Sequence, residues 1–195
     1  MKPFLHALVR NKWPLLAVAV LAITASLFLL VNYQPAALVN GLVISKNRLL
    51  KNYAAAAVYQ ENLAQAYGVE DDQNISALEV KAQVLERLIE AKLIESAVKK
   101  EVGRDLAPLL ESKLNKHREN SSLRRAATTL YGLDFGDFEK EVLTPQAERD
   151  ILAGRLFLRE ENIDDWLAAA KKEARVTIFD KSLRWTGERV VPQSD

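Results

Sequence analysis

The sequence predicts a mainly α-helical domain behind an N-terminal transmembrane helix, closed by a small two-stranded β pairing of the domain's first and last segments. Three observations predict it. Residues 15–31 form an uncharged run of 17 residues in which only Thr24 and Ser26 are polar. From residue 46 to about 170, apolar residues recur at helical spacing between cap and stop signals. Short stretches with β character flank that helical body, at 36–44 and 175–179.

The apolar run, edged by Trp13, Pro14 and Tyr33, is just long enough for a hydrocarbon core of roughly 30 Å. Trp13 and Tyr33 stand where interfacial aromatics belong. Lys2, Arg10 and Lys12 precede the run and the next base is Lys46, so the positive-inside bias puts the N-terminus in the cytoplasm. A cleaved signal peptide is the competing reading, but signal h-regions are usually about 7–15 residues. Cleavage after Ala25 would also leave the apolar residues 27–31 on the mature terminus. The expected organisation is therefore a cytoplasmic start (1–13), a single-pass anchor (14–33), an extracytoplasmic helical domain (34–180) and a loose tail (181–195).

In the domain, Asn40-Gly41 marks a turn within 36–44, and Ser45 is a candidate N-cap for a helix reaching about Tyr67. Four alanines at 54–57 permit close packing. Ser76 and Glu79 have the spacing of a capping box, with Ile75 and Val80 as its hydrophobic staple. The helix that follows is the spine of the domain. Leu78, Ala82, Leu85, Ile89 and Leu93 form one apolar stripe; Val80, Val84, Ala91, Ile94 and Val98 form another. A helix apolar on two sides is buried between neighbours or borders a groove that something else fills. Gly103 ends it.

Shorter helices follow. Asp105 is the expected cap of one containing Pro108. Ser121 or Ser122 starts the next, which Gly132 stops. Phe135, Phe138, Val142 and Leu143 share a third, Pro145 breaks or kinks the path behind Thr144, and Asp164 opens the last helix. Two short strands are marginal alone, so 36–44 and 175–179 are expected to pair across the whole domain.

Composition excludes several chemistries. Residues 1–33 hold three of the 27 basic residues and none of the 26 acidic ones, so the remainder carries about −2. That gives no electrostatic basis for nucleic-acid binding. No cysteine is present, hence no disulfide or thiolate chemistry. His6 and His117 lack partners at ligand spacing, so no metal is expected. The acids at 70–72, and Glu160, Glu161, Asp164 and Asp165, suit helix ends better than acid–base catalysis. Asn74 and Asn120 each begin a glycosylation pattern that coincides with a helix start. Neither a phosphate-binding glycine loop nor a nucleophile elbow occurs, and the chain reads as a non-enzyme without cofactors.

Three segments resemble the N-terminal chaperone module of the SurA and PrsA type of extracytoplasmic foldases. Residues 38–45, LVNGLVIS, resemble the family's opening strand. Residues 85–94, LERLIEAKLI, followed by Ala97, Lys99 and Lys100, resemble its long helix. Leu130-Tyr131-Gly132-Leu133, then Phe138-Glu139-Lys140-Glu141, resemble its turn and following helix. Trp166 and Leu167 with Val176, Thr177 and Ile178 resemble its closing helix and strand. The likeness covers about residues 36–160 and the order of the motifs carries it. The family's parvulin prolyl isomerase domain has no room between Glu160 and Asp164, so isomerase activity is not implied.

What the resemblance implies is ATP-independent binding of unfolded or secreted polypeptides on the far side of the cytoplasmic membrane. Aromatic side chains offer sequence-tolerant contact area, and the two-sided spine could border the groove. The candidate peptide-binding residues are Tyr53, Tyr59, Val84, Leu88, Ile94, Tyr131, Phe135 and Phe138. A different class of function fits the same features: a bitopic scaffold or adaptor that binds one folded partner in an envelope complex, or a second copy of the chain.

Overall fold

A tight hairpin starts the domain in the computed structural model, which describes residues 34–67 and 76–193. Strand β1 (Pro35–Val39) turns through Asn40 and Gly41 into β2 (Leu42–Ser45). Both turn residues have positive φ, 50° and 83°, as a two-residue turn matched to strand twist requires. Asn40 also ties down the far end of the domain: its amide N–H donates to the Arg175 carbonyl and its Oδ1 accepts from the Arg175 N–H, both at 2.9 Å. The closing strand β3 (Val176–Ile178) thereby lies antiparallel to β1, pairing Val39 with Val176 and Ala37 with Ile178. The sheet order is β2-β1-β3, so the expected end-to-end pairing is present inside a three-stranded sheet.

Helix α1 (Lys46–Tyr67) leaves the sheet directly, with Ser45 Oγ accepting from the Arg48 N–H at 3.2 Å. Helix α2 (Ala77–Val102) is the spine, and its capping box is complete. Ser76 Oγ accepts from the Glu79 N–H, and Glu79 Oε2 accepts from the Ser76 N–H. Ile75, expected to complete a staple, lies outside the described residues. Gly103, at φ 61°, ends the helix. A 3₁₀ turn (Gly103–Asp105) leads into α3 (Leu106–Arg118), and Asp105 gives no side-chain cap because it lies within that turn. Asn120, one residue before the expected serines, caps α4 (Ser121–Tyr131), and Gly132 closes it in the left-handed conformation. Asn162 caps α7 (Ile163–Glu173), while Asp164 lies in the first turn.

Pro145 does not break the chain. Helix α5 (Phe135–Phe138) continues through a π turn (Glu139–Leu143) into α6 (Thr144–Phe157). A proline ring inside an α-helix clashes with the carbonyl four residues back and forfeits one hydrogen bond. The wider π turn lets the Thr144 N–H reach the Glu139 carbonyl five residues back and carries the helix past the ring.

Residues 181–192 are not a loose tail. Strands β4 (Leu183–Trp185) and β5 (Val190–Pro192) form a second hairpin that buries Leu183 and Val190 in the main core. The Glu86 carboxylate on the spine accepts from Lys171 Nζ at 2.6 Å and from the Val190 N–H at 3.1 Å. Asp180, just before the hairpin, accepts from Lys81 Nζ and from Ser182.

Among the described residues, no helix is long and apolar enough to cross a membrane. The expected transmembrane fold class and single-pass localisation are corrected accordingly to a mainly helical architecture with small β-sheets. The span expected over 14–33 lies outside the described residues.

Candidate functional site

The eight residues nominated from the sequence divide between two hydrophobic clusters. The main cluster joins the sheet, α2, α6, α7 and the second hairpin. Val84, Leu88 and Ile94 belong to it, each no more than 6% exposed. Leu85, Ile89 and Val98 are fully buried beside them, and only Leu78 of the large apolar spine residues is half-buried. The spine is therefore sealed by its neighbours on both stripes, and the expected groove along it is absent among the described residues. Tyr53 is half-buried against the same cluster and is not among the residues packed on the other aromatics' cluster.

The remaining four candidates come together. Ala55, Ala127, Leu133 and Phe138 form a second, smaller cluster, with Tyr131, Phe135, Val142 and Leu143 packed on it. Tyr59 of α1 stacks on Tyr131 of α4, with centroids 4.9 Å apart and planes at 10°. Tyr131 meets Phe138 at 5.2 Å, and Phe138 meets Phe135 at 6.4 Å. The Arg124 guanidinium lies 4.4 Å from the Phe135 centroid, a cation–π contact on the rim.

Local sequence explains the convergence. The small residues Ala55 and Ala127 let α1 and α4 approach, and Gly132, at φ 64°, ends α4 in the left-handed conformation beside Val58. Asn62 Nδ2 donates to the carbonyls of Thr129 and Leu130, satisfying the otherwise unpartnered end of α4. Arg48 and Asn52 both donate to Glu141 Oε2, at 2.7 and 3.0 Å, fixing the π turn to α1. Arg118 grips Glu139 with two nitrogens, at 2.7 and 2.8 Å.

Only Phe138 of the four rings is sealed; Tyr59, Tyr131 and Phe135 are half-buried. Leu63 and Leu130, next to Asn62 and Tyr131, remain 36% and 41% exposed. The result is a half-open aromatic patch where α1, α4 and α5 meet, with Leu63 and Leu130 exposed on α1 and α4. Burial pushes the Tyr131 phenol up, and the neighbouring Tyr59 adds to it. The hydroxyl therefore stays protonated over the physiological range and can donate a hydrogen bond. Sequence reasoning missed Leu63 and Leu130, because exposure at a single leucine leaves no mark in the pattern.

A second apolar point lies at the end of α6. Glu160, at φ 59°, occupies the left-handed position usually held by glycine. Around it the Glu161 N–H donates to the Leu156 carbonyl and the Glu160 N–H to the Phe157 carbonyl, the paired bonds of a Schellman end. That geometry holds Phe157 and Leu158 outward, 78% and 76% exposed.

Among the described residues, no three His, Cys, Asp or Glu side chains converge to hold a metal. His117 lines an open groove of about 230 Å³ between α3 and α6 with Lys113, Lys116, Gln146 and Asp150, and none of the nominated residues reaches it. The acids Asp164 and Glu161 pair with Arg149 and Arg159. No protein-family model, curated protein or solved structure matches this chain.

Proposed function

We propose that the domain is a polypeptide-binding module that holds apolar segments of non-native chains, without ATP and without prolyl isomerase activity. The observation that carries the reading is the half-open patch of Tyr59, Tyr131 and Phe135 beside the small cluster, with Leu63 and Leu130 exposed on the same helices α1 and α4. Stacked rings give contact area with little conformational entropy to lose and with no demand for one client sequence. The resemblance to the SurA and PrsA chaperone module, carried by the motifs at 38–45, 85–94 and 130–141, points the same way. The burial of the spine favours the junction of α1 and α4 over the long helix as the binding surface.

An aggregation assay tests the proposal. Excess full-length protein is expected to suppress aggregation of an unfolded model protein. The double variant Leu63→Glu and Leu130→Glu is expected to lose that effect while melting within a few degrees of the parent, because both sites are exposed. Equal suppression by parent and variant contradicts this site. No suppression by the parent contradicts the function.

The protruding Phe157 and Leu158 favour a second reading, an adaptor that docks one folded partner. Binding hot spots are few, large and apolar, and a rigid helix end presents two of them here. Pull-down with the Phe157→Ser and Leu158→Ser variant separates the readings. Loss of one saturable partner supports the adaptor, and unchanged partners contradict it.

A further inference from the structure

Glu148 is buried, only 7% exposed, in the seam where α6 packs on the spine, and unlike the similarly buried side chain of Glu141 it forms no salt bridge among the described residues. Three cations lie near it, yet each is committed elsewhere. Lys92 and Lys99 both donate to Glu95 on α2, and Arg48 on α1 donates to Glu141. Glu95 also faces Glu148 and repels it when both are ionised. Burial pushes the Glu95 carboxyl up, but the bonds from Lys92 and Lys99 outweigh it and hold Glu95 below its ordinary value. Glu95 is therefore the charged partner whenever Glu148 titrates. The other helices packed on α6 act on different residues: α3 presents Lys113 to Asp150, and α7 presents Asp164 to Arg149.

The position gives this carboxyl leverage. The continuous helix from Phe135 to Phe157 leaves the small cluster at Phe138 and enters the main one at Ile151 and Leu152. Glu148 lies between those anchors, just after the π turn. We propose that Glu148 is a proton-operated latch on the seam between α2 and α6, closed when its carboxyl is neutral and loosened when it is ionised. A proton removes both the desolvation penalty of the buried charge and the repulsion from Glu95.

Burial first, and then Glu95, raise the Glu148 carboxyl from 4.5 to about 6. A raised value means the latch contributes fully below the unfolded value and loses its contribution as pH rises through about 6. The inference stands apart from the polypeptide-binding reading. Its test compares unfolding of the full chain and of Glu148→Gln at pH 5 and pH 7.5. Relative to the variant, the parent's equilibrium is expected to shift toward unfolding by about ten-fold, and by no more than about thirty-fold, over that interval. Parallel pH profiles overturn the proposal. A carbon NMR titration of the parent's Glu148 carboxyl decides independently of how the variant folds: a midpoint near 6 supports the latch, and one near 4.5 overturns it.

Discussion

The two hydrophobic clusters share helix α1 but differ in how completely they are closed. In the main cluster the sheet, the second hairpin and four helices enclose the spine, and Ile44, Leu85, Ile89, Leu152 and Leu156 are fully buried. In the small cluster only four residues are buried, and the rings packed on them stay half in solvent. Burial of apolar area stabilises in proportion to the area removed from water, so the first cluster holds the fold. The second leaves area to share. One domain thus separates the apolar surface that holds the fold from apolar surface left partly open.

The largest test of that contrast is a pair of leucine truncations. Leu152→Ala is expected to destabilise by about 2–5 kcal/mol, because Leu152 is 1% exposed in the main cluster. Leu130→Ala on α4 is expected to change stability by no more than about 0.5 kcal/mol. Denaturant midpoints measure both, and equal losses would erase the distinction between the clusters.

The attachment of the second hairpin sharpens the comparison through pH. Bonds from Lys81 first, and from Ser182, depress the Asp180 carboxyl from 3.8 to about 2. A depressed value contributes stability above the unfolded value, which is lost as pH falls from about 4 toward 2. The group is partly solvated, so the contribution is about 1 kcal/mol after screening. Asp180→Asn is expected to remove that acid-dependent step from thermal melts. Acid melts that superimpose on those of the parent would show that the hairpin is held without it.

The smallest expected effect has the opposite sign. Glu160→Gly places the residue preferred at a left-handed helix end and is expected to stabilise by about 0.5–1 kcal/mol. A loss of stability would mean that the Glu160 side chain itself holds the α6 terminus.

Features whose signal is local were legible in the sequence. Asn40-Gly41 gave the hairpin turn, Ser76 with Glu79 gave the capping box, and the spine's two stripes marked a long helix apolar on two sides. The pairing of β1 with β3 followed from the instability of isolated strands. Features that depend on tertiary partners were not legible. Val84, Leu88 and Ile94 look identical whether a groove or a neighbouring helix covers them, and here helices and the second hairpin do. Glu86 reads as a surface acid, yet it receives Lys171 and the Val190 N–H and so orders residues that resemble a tail. Pro145 signals a break, but the π turn that absorbs it depends on Glu141 being held by Arg48 and Asn52.

Mapping amide NMR shifts of the labelled full chain during titration with a permanently unfolded model polypeptide tests the central claim most directly. The account predicts perturbations concentrated at Tyr59, Leu63, Leu130, Tyr131 and Phe135, with Val84, Leu88 and Ile94 unmoved. Perturbations centred on the spine or on Phe157 and Leu158, or none at saturating polypeptide, would contradict it.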